Sequence, residues 1–488
     1  MEFEKALENV LQNLGFNHWL YFLAISSVQI FGNPHITAMA FLGKTPGFSC
    51  NTDKEKKLDP CKSQCDKYVF EKNYTSISTE WNLVCDESYK VPLAQEILMF
   101  GFLLGVVVLG SGSDKMGRLR TLMICLYIQV IAQASMLFCT SYFQFALSRF
   151  LLGFTAGGSS LTSYVIIMEN ILSHHRALAG TVGQIAFALG NVTFSLMAFY
   201  IRDWRMLSLA IAVTNVPFLF LSCFIPESPR WLMSEGRISE AEDALYRVGK
   251  MSNPTFNRQM VSITETKEEG PKANSGTFDA FRTPEIRRRL LALMFAWFTC
   301  SFVYYGLTMN ATSQGSNMYV SFALSGLVEV PAHLICTVAL NRIGRKRCLF
   351  LAFFTGGLSC LFVDFTSSTS GLFSPLSLSL VGKMGIAMAF NGIYLFSLEL
   401  FPTVIRNGAM GLCSMAARVG GIAAPLLSNY GEDITFVGFG VTGVISGLLM
   451  LMLPETLGLP LPETIDDVEC WKNSKKSRTS SKITVSVS

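Results

Sequence analysis

Residues Lys383 to Pro425, KMGIAMAFNGIYLFSLELFPTVIRNGAMGLCSMAARVGGIAAP, read as two apolar segments joined by a short polar turn. The first segment, from about Leu372 to Leu398, closes on Glu399. The turn is expected over Leu400 to Gly408, and the second segment runs on to Asn429 with one arginine, Arg418, among small and apolar neighbours. Each segment is long enough for a helix that crosses a bilayer. A guanidinium near the middle of such a helix costs about 2.5–3.5 kcal/mol on insertion, so it must face a protein interior or a watery cavity. Arg418 is therefore the first candidate functional residue, and the remaining chain is read for what it faces.

Composition extends this reading to the whole chain. Of 488 residues, half are hydrophobic and only 15% are charged, against about 25% in ordinary soluble chains. Phe and Met are abundant, at 38 and 21 residues. The net charge of +4 is small for the length, and the basic residues fall in short connectors. That distribution speaks for a bilayer as solvent and against a nucleic-acid partner. Met1 to Asn17 is amphipathic and carries no cleavable signal, and the first apolar run, about Trp19 to Leu42, is itself of spanning length.

Apolar runs give twelve expected spans, centred near residues 30, 102, 129, 153, 188, 215, 299, 327, 357, 385, 418 and 443. Basic residues cluster after the even-numbered ones: Lys115, Arg118 and Arg120; His174, His175 and Arg176; Arg342, Arg345, Lys346 and Arg347; Arg406. By the positive-inside rule these connectors face the cytosol. So do both termini, residues 1–18 and 454–488, and the charged insert 227–288. The spans then group as 19–226 and 289–453.

The loop 43–90 is expected outside. It holds the acceptor Asn73-Tyr74-Thr75 and four cysteines, Cys50, Cys61, Cys65 and Cys85. An even cysteine number in an oxidising compartment implies two disulfides, with three connectivities open. The acceptor and the cysteines favour the plasma membrane. Within the insert, Pro226-Glu227-Ser228-Pro229-Arg230-Trp231-Leu232 stops a helix, Arg237 to Lys250 reads as an amphipathic cytosolic helix, and Asn253 to Thr277 reads as a linker.

Three markers repeat in order. Gly117-Arg118 recurs 227 residues on as Gly344-Arg345, Glu169 recurs 230 on as Glu399, and Pro226-Glu227 recurs 228 on as Pro454-Glu455. The chain therefore reads as a duplication, two parallel six-span bundles suited to alternating access around a midplane site. The markers are candidate gating residues: Asp114, Gly117, Arg118, Glu169, Arg176, Glu227, Arg230, Arg345, Glu399 and Arg406. Asp114 is placed to meet an arginine or a helix N-terminus. Glu169 with Arg176, and Glu399 with Arg406, are placed to form charge pairs that break as a gate opens.

These motifs resemble the major facilitator superfamily. Thr79-Glu80-Trp81-Asn82-Leu83-Val84-Cys85-Asp86, the Pro226–Leu232 string, Phe281-Arg282-Thr283-Pro284, and Trp297-Phe298-Thr299 with Tyr304-Tyr305-Gly306-Leu307 are similar to its organic cation, anion and zwitterion (carnitine-type) transporters. The resemblance covers nearly the whole chain from the first span to Glu463. It implies an all-α polytopic major facilitator fold of twelve transmembrane helices in two six-helix bundles. The chain departs from the family at Asn341, where an acidic residue is usual, and at Leu119, where a basic one is usual.

The resemblance also divides the substrates. Arginine at position 418 resembles the organic-anion and carnitine branches, and Glu329 resembles the cation and carnitine branches. His333 stands where some anion transporters carry lysine. A substrate carboxylate is expected at Arg418 by bidentate pairing. A quaternary or protonated amine is expected toward Glu329 and the rings of Trp297, Tyr304, Tyr305 and Phe390. The expected function is carriage of a small organic ion, a carnitine-like zwitterion or an organic anion, with an organic cation as the alternative. No cofactor or metal is expected, and a coupling ion, Na+ or H+, is left open. The rival classes are weaker. An enzyme lacks a catalytic or nucleotide motif here, a channel lacks a filter string or charge ring, and a non-transporting receptor or scaffold has no use for gate charges in both halves.

Overall fold

The computed structural model describes residues 16–32, 34–50, 61, 68–171, 176–220, 225–252, 258–261, 283–315, 317–363, 366, 374–428, 431–458 and 462. Most of the expected linker, and the tail beyond residue 462, lie outside the described residues. Among the described residues, ten helices are long and apolar enough to cross a membrane, and a shorter apolar helix covers Trp204–Phe220. The chain divides into two compact units, residues 1–267 with 308–330 and 425–431, and residues 268–307 with 331–424 and 432–488.

The first unit begins with α1 (Phe16–Gly32), α2 (Pro34–Thr37) and α3 (Met39–Leu42). The end of the first apolar run is thus in short helical pieces on either side of Ala38. Pro34 supplies no N–H to the preceding turn, and the short pieces leave carbonyls without intrahelical donors. Side chains from later helices take them up. Asn215 Nδ2 donates to the Phe31 carbonyl at 3.0 Å, and Arg149 Nη1 to that of His35 at 2.7 Å. Gln95 Nε2 donates to the Ile36 carbonyl at 2.9 Å and its Oε1 accepts from Arg149 Nη2 at 2.6 Å.

The long helices of this unit are α5 (Lys90–Met116), α6 (Arg118–Ser135), α7 (Tyr142–Glu169), α8 (Arg176–Tyr200) and α9 (Trp204–Asn215), with α4 (Ile77–Trp81) preceding them in the loop 43–90. Helices α5 and α7 approach almost backbone to backbone. A Cβ on Gly105 would stand 1.8 Å from the Phe154 carbonyl oxygen, and one on Gly153 would stand 1.9 Å from that of Leu98. Small residues at such crossings are what dispersion packing in lipid selects.

The described parts of the loop 43–90 are stapled to these helices. Strands β1 (Phe48–Cys50) and β2 (Tyr68–Phe70) pair antiparallel with Phe48 opposite Phe70. Cys61 is bonded to Cys85, Cys50 is also disulfide-bonded, and Cys65 lies outside the described residues. Glu80 accepts from Trp204 Nε1 at 2.8 Å and pairs with Arg205. Trp81 meets Trp204 and Phe145 at 5.6 and 5.7 Å between ring centroids. Thr75 Oγ1 donates to Asp203 Oδ2 at 2.8 Å, and Asp203 caps α9. Burial beside these groups pushes the Tyr74 phenol up to about 12.

After the first six spans come α10 (Pro229–Ser234) and α11 (Ile238–Ser252). The latter is the expected amphipathic helix, and it buries Ala241 and Ala244 against Trp231 and Leu232. Helix α12 (Pro284–Asn310) opens the later spans. Then α13 (Met318–Leu327) packs within the first unit, where Ser195 Oγ donates to the Tyr319 carbonyl at 2.6 Å.

The second unit holds α12 to Leu307, α14 (Glu329–Arg342) beyond Val330, α15 (Arg345–Val363), α16 (Pro375–Leu400), α17 (Thr403–Ser428) to Ala424, and α18 (Glu432–Met452). The turn expected over Leu400 to Gly408 is shorter than that. Only Phe401 and Pro402 separate α16 from α17, and Arg406 lies inside α17. A proline ahead of the first helical turn forfeits no helical hydrogen bond, so the polar residues after Pro402 wind straight into the helix.

Candidate functional site

Two turns carry most of the candidate gating residues, and each half builds its turn alike. Gly117 and Gly344 have φ of +106° and +100°, a region where a side chain clashes with its own backbone. In the first half, Glu227 accepts from the Leu119 N–H with its two oxygens, at 2.9 and 3.1 Å. In the second, Glu455 accepts from the N–H groups of Arg345 and Lys346, at 2.9 and 3.2 Å. A carboxylate brought from over a hundred residues away thus caps the N-terminus of α6 or α15, where unsatisfied N–H groups and the helix dipole favour negative charge. A Cβ on Gly117 would lie 2.6 Å from Glu227 Oε2, and one on Gly344 would lie 2.5 Å from Glu455 Oε2.

The arginine after each glycine reaches an acidic residue at the end of another helix. Arg118 pairs with Asp114, and with Glu169 at 3.3 Å. Arg345 pairs with Glu399 at 3.1 Å through two of its nitrogens. Arg230 Nε donates to the Glu169 carbonyl at 3.3 Å, and Trp231 Nε1 to that of Asp114 at 2.7 Å. The expected pairing of Glu399 with Arg406 is not found. Glu399 is held by Arg345 and by the Thr456 hydroxyl, while Arg406 donates to the carbonyls of Phe401 and Pro462 at 3.2 and 3.5 Å. The seven-residue spacing led to the wrong partner because the arginine after Gly344 is closer in space. The side chain of Arg176 lies outside the described residues.

The second unit also gathers the candidate substrate residues. Trp297, Tyr304 and Tyr305 line α12, and Phe390 comes from α16. Tyr304 and Phe390 ring centroids are 5.9 Å apart, Trp297 and Phe390 6.3 Å, and Tyr304 and Tyr305 5.4 Å. Tyr394, unforeseen, joins them 4.3 Å from Trp297. The indole N–H of Trp297 donates to Ser397 Oγ at 3.0 Å, which fixes the ring.

One further residue changes the chemistry. Lys383 is buried to 1% exposure within α16. Its Nζ stands 3.1 Å from the centroid of the Tyr304 ring and donates to the Tyr304 carbonyl at 3.2 Å. The ring expected to receive a substrate cation already carries one from the chain itself. The signal for Lys383 was available, a lone base in an apolar run, and is the same signal that marks Arg418.

His333 is 2% exposed in α14, and neither ring nitrogen has a hydrogen-bond partner among the described residues. Its carbonyl accepts from Asn391 Nδ2 at 3.5 Å, which ties α14 to α16 near the aromatic group. Arg418 is half-buried on α17. Two residues on, a Cβ at Gly420 would lie 2.2 Å from the Phe298 carbonyl oxygen, so α17 crosses α12 beside Trp297. Glu329 is buried at the head of α14 and belongs to the first unit, so it is not counted with this group. Among the described residues, no cluster of three or more His, Cys, Asp or Glu side chains has metal-binding form.

Long apolar helices, like turns at equivalent places in the two halves and ionisable residues buried in those helices define a membrane transporter of the major facilitator fold. The solved structures bear this out for the fold. The xylose transporter XylE from E. coli in an inward-open conformation matches with a TM-score of 0.64 and 16% identity over 93% of this chain and 100% of that one. The proton:xylose symporter XylE bound to 6-bromo-6-deoxy-D-glucose matches at 0.63 and 18%, over 93% and 99%.

The family model described as sugar (and other) transporter matches residues 38–467. Solute carrier family 22 member 15 of Xenopus tropicalis is 36% identical over 96% of this chain and 91% of its own length. The organic cation transporter protein of Drosophila melanogaster is 37% identical over 83% and 76%. The chain belongs to solute carrier family 22 of the major facilitator transporters.

Proposed function

We propose that this protein carries small organic ions bearing a carboxylate, organic anions and carnitine-like zwitterions, across the plasma membrane by alternating access. The observation that carries the reading is the pair of strong bases, Lys383 and Arg418, set in the apolar helices α16 and α17 where no lipid-facing role is open to them. A guanidinium offers a carboxylate two parallel hydrogen bonds, which adds geometry to charge. The rings of Trp297, Tyr305, Phe390 and Tyr394 supply an apolar wall for the rest of the substrate.

The two turns would act as gates. Arg118 with Asp114 and Glu169, and Arg345 with Glu399, are partly buried pairs whose making and breaking separates two states. We further propose that both termini are cytosolic, that Asn73 carries a glycan outside, and that no cofactor takes part beyond a coupling ion, Na+ or H+.

A second reading, organic cation transport, draws on Glu329 and on the name of the Drosophila relative. The test is uptake of labelled carnitine, an organic anion and tetraethylammonium into cells expressing the protein, with Arg418→Ala and Glu329→Gln alongside. Saturable uptake of carnitine lost in both variants supports the zwitterion. Anion uptake lost only in Arg418→Ala supports the anion. Tetraethylammonium uptake lost only in Glu329→Gln would overturn the main reading in favour of the second.

A further inference from the structure

The first unit carries a shallow cleft that holds none of the candidate substrate or gating residues. It lies where the end of α8, the start of α9, the start of α13 and the loop 43–90 meet, and Phe41, Tyr74, Arg202, Trp204, Met318 and Tyr319 are among its walls. No acidic side chain lines it among the described residues. The ring of Phe41 stacks on that of Tyr319 with centroids 5.5 Å apart, and Phe199 meets Tyr319 edge-on at 5.5 Å. The Arg202 guanidinium lies over Phe199, 5.9 Å from its centroid, so a cation stands one ring away from the aromatic stack. The Thr75 N–H donates to the Arg202 carbonyl at 2.9 Å, which holds the loop against this corner. The acids nearby are already engaged. Asp203 accepts from Thr75 Oγ1 and from the N–H groups of Arg205 and Met206, and Glu80 pairs with Arg205. Among the described residues the Arg202 guanidinium has neither a carboxylate nor a hydrogen-bond acceptor, and the Tyr74 and Tyr319 hydroxyls have no hydrogen-bond partner.

We propose that this cleft binds a flat apolar molecule with one carboxylate, an aromatic acid, at a site separate from the one proposed for transport. Apolar walls with a few converging polar groups are the usual form of a small-ligand site. The carboxylate takes the fork of Arg202, whose paired N–H groups match its two oxygens, and the two phenols add donors. The body of the ligand packs on the rings of Phe41 and Tyr319 and on the Met318 thioether. The guanidinium is exposed to solvent, so the rings supply most of the attraction and the charge selects acid over ester. Tyr74 belongs to the loop and Tyr319 to α13, so an occupant braces the loop against the helices. By the proposed topology the cleft opens outside; the binding itself does not depend on that topology or on the transported substrate.

The test irradiates the full-length protein in membranes with para-benzoylbenzoic acid, a photoreactive aromatic acid, then digests it and maps the adducts by peptide mass. An adduct at Met318 or Tyr319 that excess benzoate competes away is expected. Labelling should fall roughly fivefold with the methyl ester of the probe and in Arg202→Gln, and should be unchanged in Arg418→Ala. That last arm keeps the cleft apart from the proposed transport site, because a failure of carboxylate uptake leaves the labelling as it was. Arg202→Gln keeps the backbone carbonyl that Thr75 uses, and the comparison of acid with ester needs only the wild type. No adduct at Met318 or Tyr319 in the wild type, or equal labelling by acid and ester, would overturn the proposal. So would labelling that falls in Arg418→Ala as far as in Arg202→Gln, since it would place the probe in the transport path.

Discussion

Each unit buries a strong base in its helices, and the two are used differently. Arg149 in the first unit spends its guanidinium on amide oxygens of the chain, the His35 carbonyl and Gln95 Oε1, and so holds the end of the first span against α5 and α7. Lys383 in the second unit rests on the face of the Tyr304 ring and donates to one carbonyl, that of Tyr304, at 3.2 Å, in a unit that also holds a histidine with both ring nitrogens unmatched. Fixed acceptors at short distance make a rigid joint. A ring face and unmatched nitrogens make a surface that a ligand can compete for. On the proposed function, the first cation serves the scaffold and the second the substrate, although both would look alike on a hydropathy plot.

Removing each base should separate the two duties, and the largest effect belongs to Arg149. Arg149→Ala leaves two buried acceptors unmatched, at about 1–3 kcal/mol each. We expect most of the protein to be lost from the cell surface, as read by surface biotinylation. Near-normal surface amounts would break the distinction. Lys383→Met keeps length and apolar packing, so surface amounts should hold while uptake per surface molecule falls roughly tenfold, about 1.4 kcal/mol. If instead it is the surface amount that falls, Lys383 is as structural as Arg149.

The two turns sharpen the comparison further. Gly117→Ala and Gly344→Ala each force a side chain into the positive-φ region, at about 1–2 kcal/mol, and push on the capping carboxylate. A several-fold fall in maximal uptake with unchanged KM is expected in both. The smallest effect is expected from Asn341→Asp. It gives the second turn the acid that Asp114 supplies in the first, where Arg118 already shares its charge between two carboxylates. Arg345 is held by Glu399 through two nitrogens, so uptake should change less than twofold, which parallel dose–response curves would show.

Much of this architecture was readable from residues alone. Run length marks membrane helices because a bilayer has a fixed thickness, and the recurrence of Gly117-Arg118 and Glu227 exposes the duplication because one turn geometry needs those residues twice. What escaped depends on space. Glu399 takes Arg345 over Arg406, and Cys61 takes Cys85, for reasons of folding that spacing does not encode. Lys383 hid in plain view because an apolar run is easily read as uniform, and its meaning appeared only with the Tyr304 ring beneath it. Pro34 likewise marks the end of the first span in the sequence, but not the three side chains from α5, α7 and α9, Gln95, Arg149 and Asn215, that gather around its carbonyls.

Arg418 is proposed to select a carboxylate. The most direct measurement is the uptake of carnitine alongside its methyl ester, in cells with equal surface amounts of wild type and Arg418→Ala. The account predicts that the wild type takes up carnitine at least tenfold faster than the ester, and that Arg418→Ala abolishes this preference. Equal uptake of acid and ester by the wild type, or a preference that survives in Arg418→Ala, would contradict it.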